Sequence, residues 1–339
     1  MSASAPGSAP APGLAPVPGA DPALPAAIEL LEVGPRDGLQ SLERVYPLET
    51  KVRLVELLVD AGLQRIEVTG FVKPSVIPQL ADAAELVARL PQRDGVRYRA
   101  LVPNMRGAVR AAETGRLHEL LGLITASETY NRKNSNMTVA ENLVQVGEMA
   151  AVAREARLPF TMALSVSTFC PYEGDIPPER VLALVERMHD DFGVTDYSLA
   201  TSVGVDGPLR VQRLVRALRE RWADLTVSLH LHNTNGMALA NALAAAQAGV
   251  TTFEGSICGI GGGIRMPYGM AHYGNVATED LAQLFRELEV DTGVDAGRLV
   301  GAARAARELL ELEQSFSAAA NGGTREDVLA QGRIAPKGK

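Results

Sequence analysis

The sequence is poor in cysteine, in basic excess and in long apolar runs. Only Cys170 and Cys258 occur in 339 residues, which excludes a disulfide framework and points to a reducing, cytoplasmic setting. No stretch approaches the ~18 consecutive apolar residues of a membrane span. Lys and Arg total 33 against 40 Asp and Glu, a formal charge of −7. That balance gives no support to nonspecific nucleic-acid binding, although a local basic patch for an anionic ligand stays open. No convincing nucleotide-binding turn follows any strand, which argues against an open, doubly wound sheet.

What is present is ordinary for a soluble globular chain: 46% hydrophobic and 22% charged residues exclude wholesale disorder. At ~150 residues per domain the length allows two domains, but α/β barrels of this size fold as one. Residues 1–26 stand apart, with seven prolines, many Ala and Gly, and Asp21 as their one charge. They lack the basic and apolar blocks of a secretory signal and the Arg-rich character of a transit peptide, so they read as a disordered tail. Residues 321–339 read as a second loose tail, leaving 27–320 as the folded catalytic unit.

Between the tails, β-rich runs alternate with helix-period segments. Strands are expected at Ile28–Val33, Arg65–Val68, Arg97–Val102, Glu119–Thr125, Phe160–Val166, Asp196–Leu199, Thr226–His230 and Thr251–Ile257. Helices are expected near Leu48–Ala61, Gln79–Leu90, Met105–Thr114, Thr138–Ala156, Pro178–Asp191, Leu209–Trp222, Met237–Ala248 and Thr278–Leu288, with another at Gly297–Leu312. In Leu48–Ala61, for example, Val52, Val55, Leu58 and Val59 form one stripe. Eight βα units predict an α/β fold, a (β/α)8 TIM barrel, because parallel strands need crossovers and closure removes both sheet edges.

A barrel places functional residues at the C-terminal ends of its strands. Three clusters meet that demand. His230-Leu231-His232 puts two imidazoles on one face of the seventh strand; spacing alone leaves a metal site and a plain polar strand end equally open. Glu32-Val33-Gly34-Pro35-Arg36-Asp37-Gly38-Leu39-Gln40 follows the first strand with turn chemistry. It is either a tight turn with an incidental ion pair, or a metal-binding carboxylate beside a guanidinium that stabilises an oxyanion. Glu67 sits inside an apolar strand, where an unpaired carboxylate is costly; pairing with Arg36 would relieve that cost and orient the arginine.

Taken with further motifs, these clusters resemble the 3-hydroxy-3-methylglutaryl-coenzyme A lyase family of metal-dependent TIM-barrel enzymes, related to isopropylmalate synthase. The motifs are Phe71-Val72-Lys73-Pro74, Leu101-Val102-Pro103-Asn104, Ala126-Ser127-Glu128-Thr129, Cys170-Pro171-Tyr172-Glu173-Gly174, Ala238–Asn241 and Gly274–Asp280. The resemblance implies that Asp37, His230 and His232, with Asn275, hold a divalent cation, usually Mg2+ or Mn2+; mixed N/O ligation leaves Zn2+ open. It further implies that Arg36 stabilises an enolate, that Glu67 is its acidic partner, and that Gln40, Asn134 and Thr201 contact substrate. The substrate would be an acyl-CoA, cleaved at a carbon–carbon bond of a 3-hydroxyacyl thioester such as 3-hydroxy-3-methylglutaryl-CoA. The partners implied are this thioester and further copies of the chain in a homo-oligomer, with neither nucleic acid nor membrane.

Three departures from the lyase pattern stand out. Gly263 occupies the place of the family's loop cysteine, in a loop, Gly259–Asn275, that is longer than usual. Ala200-Thr201-Ser202 replaces a Gly-Asp-Thr, removing a carboxylate at Thr201. Asn233 replaces an aspartate, as in many condensing enzymes. The altered loop offers His272, Tyr268 and Tyr273 as replacements for the cysteine's proton transfer. His272 is the best suited by pKa, against the plainer reading of a solvated loop histidine. Cys170 reads as a buried small residue, and Asn131-Arg132-Lys133-Asn134 or the amides of Gly259–Gly263 are candidates for the phosphates of coenzyme A. Two other readings follow from these departures: a condensing or aldolase-type enzyme on the same metal site, and a barrel that binds acyl-CoA with impaired turnover.

Overall fold

The computed structural model describes residues 24–262 and 274–332. Most of the proline-rich stretch, and Gly263, Tyr268, His272 and Tyr273, lie outside the described residues. Eight parallel strands close into a barrel in chain order: β1 Glu29–Glu32, β2 Arg65–Gly70, β3 Arg97–Leu101, β4 Glu119–Thr125, β5 Phe160–Ser165, β6 Asp196–Thr201, β7 Thr226–Leu231 and β8 Thr252–Gly255. Closure is made by β1 on β8, with Glu29 opposite Thr252 and Glu32 opposite Gly255. The (β/α)8 expectation is met.

Alternation along each strand divides two environments. Residues such as Ile66, Val68, Tyr98, Ala100, Leu229 and Phe253 face the surrounding helices and form one continuous core. The helix Leu48–Asp60 buries Val52, Leu54, Val55 and Leu58 against that layer, as its apolar stripe demands. Inside the barrel, Leu101, Leu121 and Ala163 form a second, small apolar cluster with Val72 and Leu123. Below them the lumen is charged: Arg65 binds Glu29 and Glu119, and Arg99 lies among Glu67, Glu119 and Glu254.

Several element ends differ from expectation for identifiable reasons. The last barrel strand stops at Gly255, and Ile257–Gly259 turns as a short 3-10 segment with Cys258 in the left-handed region (φ 59°). The second helix is split into Pro78–Leu80 and Ala83–Arg89. The expected loose C-terminal tail is corrected in part: Arg325–Gly332 is a helix. It buries no side chain and is held by ion pairs such as Arg304–Asp327 and Arg286–Glu326, so no apolar pattern announced it. Just before it, the main chain at Ser315–Ala319 docks on the root of the eighth loop. The Phe316 N–H donates to the Cys258 carbonyl at 2.9 Å, and Asp280 accepts from the Ser317 hydroxyl and the Ala318 and Ala319 N–H groups. At the other end, the Asp291 N–H donates to the Ala26 carbonyl and its own carbonyl accepts the Ile28 N–H, which ties the chain just ahead of β1 to the segment after the last barrel helix.

Candidate functional site

The site is built at the C-terminal mouth of the barrel by loops that interlock. After β1 the chain winds Gly34–Gly38 into one wide helical turn, whose Val33 carbonyl accepts the N–H groups of Arg36, Asp37 and Gly38. Glycine is required at both ends by close approach. A Cβ on Gly34 would lie 2.6 Å from a Glu32 oxygen, and one on Gly38 would lie 2.7 Å from Ile260. Glu32 is fully buried and accepts from the Gly34 N–H at 2.6 Å, the Ile257 N–H at 2.9 Å and the Thr278 hydroxyl at 2.6 Å. One carboxyl therefore ties the loop after β1 to the turn after β8. Burial pushes Glu32 up to about 7 despite those three donors. Glu279 takes the next amide, Cys258 N–H, at 3.1 Å, and burial pushes it up to about 8.

Asp37, His230 and His232 converge above this base, with one ligand atom from each within 4.8 Å of the others. Asp37 Oδ2 lies 3.9 Å from His230 Nε2 and 4.0 Å from His232 Nε2, and the two Nε2 atoms are 3.1 Å apart. Burial works against charge on Asp37, but Arg36, the two histidines and Asn275 outweigh it and hold the carboxyl below its usual range. Burial takes His232 down to about 4, so its ring is neutral at pH 7, as a metal ligand must be. Burial pulls His230 down, but Glu254, whose Oε2 sits 3.1 Å from Nδ1, and Asp37 together raise it above its usual range. That carboxyl fixes the imidazole so that Nε2 faces the other two ligands.

The donor set fits a divalent cation. Asn275 donates to Asp37 Oδ2 at 2.8 Å and to the Ile260 carbonyl at 3.2 Å, while its own Oδ1 is buried without a partner. Two carboxylate or amide oxygens and two imidazole nitrogens, one oxygen unsatisfied, suit magnesium, manganese or zinc alike.

Arg36 and Glu67 pair as expected, Nε to Oε1, while Arg36 Nη1 reaches Asp37 Oδ1 at 2.5 Å and Gln40 donates to the same oxygen at 2.8 Å. The other oxygen of Glu67 is taken by Arg99, a fully buried residue that sequence reasoning missed. Its signal was there in the alternation of β3, which puts Arg97, Arg99 and Leu101 on the lumen face. Burial opposes the charge on Arg99, but Glu254, Glu67 and Glu119 together hold it firmly protonated.

A cavity of about 320 Å³ opens on this cluster. Arg36, Asp37, Gln40, His230, His232 and Asn134 line it, and Leu101, Leu121, Leu123 and Ala163 supply an apolar wall. Thr201, expected at the substrate, does not line the cavity; its neighbours Ala200 and Ser202 do. The alternation of β6 turns Thr201 away from the lumen, where its hydroxyl accepts the His232 N–H at 3.3 Å and contacts the His230 carbonyl. In the segment after β4, Asn131 is buried in structural bonds to the Met137 and Thr138 carbonyls, and Arg132 pairs with Glu128. Lys133 lies over the Tyr172 ring, so Asn134 alone of the four reaches the cavity. Cys170 is buried, 3.1 Å from the Ser127 hydroxyl, and Glu173 binds that hydroxyl and the Thr129 N–H, so this motif pins the helix Glu128–Ser135.

Comparison with known proteins agrees with this geometry. The HMGL-like family model matches residues 27–305. The hydroxymethylglutaryl-CoA lyase YngG of Bacillus subtilis is 39% identical over 280 residues, covering 83% of this chain and 92% of the relative. The (R)-citramalyl-CoA lyase of Chloroflexus aurantiacus is 39% identical over 286 residues, 81% and 89%. Among solved structures, the Bacillus subtilis HMG-CoA lyase superposes with a TM-score of 0.82 at 36% identity, covering 91% of this chain and 99% of its own. An HMG-CoA lyase from Acinetobacter baumannii in complex with coenzyme A and 3-methylmalate gives 0.83 at 32% identity, 89% and 97%. A barrel of this order, with this acid–imidazole cluster at its mouth and matches spanning most of both chains, belongs to the HMGL-like family of acyl-CoA carbon–carbon lyases.

Proposed function

We propose that this protein is a divalent-metal-dependent lyase that cleaves a 3-hydroxyacyl-CoA, such as 3-hydroxy-3-methylglutaryl-CoA to acetyl-CoA and a 3-oxo acid, or a related hydroxyacyl thioester. The observation that carries the reading is the convergence of Asp37, His230 and His232 beside the Arg36–Glu67 pair, all at one cavity. Asp37, His230 and His232, with Asn275, would hold Mg2+ or Mn2+. The bound ion supplies positive charge that lowers the pKa of the substrate hydroxyl.

The residues around it do the rest. A base takes the hydroxyl proton, the C2–C3 bond breaks, and its electron pair passes into the thioester as an enolate, which is then protonated at C2. Arg36, held by Glu67, offers its guanidinium to that enolate oxygen, a charge that exists only as the bond breaks. Gln40 keeps Asp37 oriented from the cavity side, and Asn134 and the exposed Lys73 at the rim suit the polar arm of coenzyme A. His272, outside the described residues, is our candidate for the proton-transfer group in place of the family's cysteine; Gly263 has no side chain to do so. The two buried thiols are compatible with a cytoplasmic protein.

The test is product analysis. Purified protein with Mn2+ or Mg2+ is given 3-hydroxy-3-methylglutaryl-CoA and, separately, (R)-citramalyl-CoA, and mass spectrometry follows the thioesters. Release of acetyl-CoA from either supports the reading, and the better substrate defines the acyl group. No acetyl-CoA from either, with both metals, would overturn it.

A further inference from the structure

We propose that Arg99 is a positioning residue that couples the two halves of the site, the Arg36–Glu67 pair and the His230–Glu254 pair. The inference rests on the metal-site reading above. Arg99 itself does not line the cavity; of the carboxylates it holds, Glu254 does and Glu67 does not. It lies at 0% exposure in the barrel lumen, with Glu67 at 0% and Glu254 at 1%. Its Nη2 donates to Glu67 Oε2 and, at 3.0 Å, to Glu254 Oε2; Nη1 reaches Glu254 Oε1 at 3.2 Å. Glu119 stands 3.8 Å below, and Ser228 donates to Glu254 Oε1 at 3.1 Å.

Each carboxylate that Arg99 holds has a second task. Glu67 uses its other oxygen on Arg36 Nε, and Glu254 Oε2 sits against His230 Nδ1. Besides the direct contact through Asp37, a path from Arg36 to His230 thus runs beneath the site through one guanidinium. Two carboxylates in a dry lumen repel unless a cation stands between them. Arg99 lets both approach the axis and sets the angle from which each grips its own partner. Nη2 touches both carboxylates and Nη1 adds the second contact to Glu254, so the planar fork fixes the angle between them; an ammonium on a flexible stem keeps the charge but loses that fixed geometry. The β3 alternation places this residue one layer below the site. Its effect on the reaction is therefore carried by the carboxylates it holds and, through them, by the aim of Arg36 and His230.

The experiment uses the full chain with R99K and R99M. Folding is read by circular dichroism, Mn2+ affinity by calorimetry with the metal alone, and kcat and KM on 3-hydroxy-3-methylglutaryl-CoA. R99K is expected to stay folded, to bind Mn2+ at least tenfold more weakly, and to lose at least tenfold in kcat with KM within threefold. R99M should lose more of both. A residue needed only for stability would behave otherwise, because R99K would recover kcat and metal affinity together with the fold. A folded R99K within threefold of the parent in both quantities would overturn the proposal. Failure of both variants to fold would also overturn it, assigning Arg99 to stability. If the parent cleaves neither hydroxyacyl-CoA, the lyase reading falls while the Mn2+ titrations still decide the role of Arg99.

Discussion

Asp37 is asked to do three things at once: to accept from Arg36 and Gln40 on one oxygen, to accept from Asn275 on the other, and to face two imidazoles. Asp37→Ala and His230→Ala should therefore each weaken Mn2+ binding by at least 100-fold while the barrel still folds; calorimetry on the purified variants checks this. Arg36 belongs to a different class. Its Nε is committed to Glu67, and its charge matters most when the enolate forms, so Arg36→Lys should lower kcat by about 100-fold and leave KM within a few-fold. Steady-state kinetics that show near-parental kcat would make this arginine a structural residue. Asp37, Arg36 and the histidines were legible because turn chemistry and strand period confine them to one end of the barrel. The partners of Arg99, Glu254, Glu32 and Glu279 were not. Their roles depend on register between strands far apart in sequence, as in Glu254 opposite His230, and a single chain does not display register.

At the level of elements, eight strands were readable from alternation and spacing, and their order followed from closure. What escaped were the ends, where tertiary contacts override the local pattern. The eighth strand stops early because Glu32 and Glu279 pull the amides of Ile257 and Cys258 out of the ladder. The helix Glu128–Ser135 was hidden because its N-terminus is capped by Ser127 and held by Glu173, 46 residues from that serine, rather than announced by an apolar stripe. The interlock of the first and eighth loops gives its own prediction. A methyl group on Gly38 would press into Ile260, at 2.7 and 2.8 Å from two of its carbons. Gly38→Ala should displace Asp37 and cost about tenfold in Mn2+ affinity, in line with the ~1–3 kcal/mol of local overpacking. Ile260→Ala in the same chain should restore much of the loss, because it empties the space the methyl needs. Titration of the single and double variants against Mn2+ tests the pair; no recovery would mean that the loops are not in register through this contact.

For the molecule as a whole, pH carries a signature of its buried acids. Glu32 sits at about 7 and Glu279 at about 8, both raised from 4.5 chiefly by burial. A carboxyl with a raised folded pKa binds more protons in the native state, so its contribution is whole below about 4.5 and is lost as pH climbs through 7 to 8. The melting temperature should fall between pH 6 and pH 9, and Glu279→Gln should flatten that fall; calorimetric scans across the range decide it. A slope unchanged in the variant would remove Glu279 from the account. On the acid side the sign reverses. Glu173, where burial is outweighed by the Thr129 amide, Ser127 and Arg180, is held at about 2, and its share disappears as pH drops from 4.5 towards that value.

The closing seam of the barrel has a kinetic consequence. Strand β1 can pair with β8 only after the chain between Glu29 and Thr252 has been laid down, the slow, non-local kind of contact that limits folding rates. Asp37 follows the first strand directly, whereas His230, His232 and Asn275 arrive with the last third of the described chain. The ligand cluster thus does not exist in any half-formed barrel. An ion held there straddles the seam, favours the closed state over every open one, and raises apparent stability with its concentration as RT ln(1 + [L]/Kd). In refolding, Mn2+ should slow the reopening of the barrel more than it speeds closure, turning the metal into a latch on the final step of assembly.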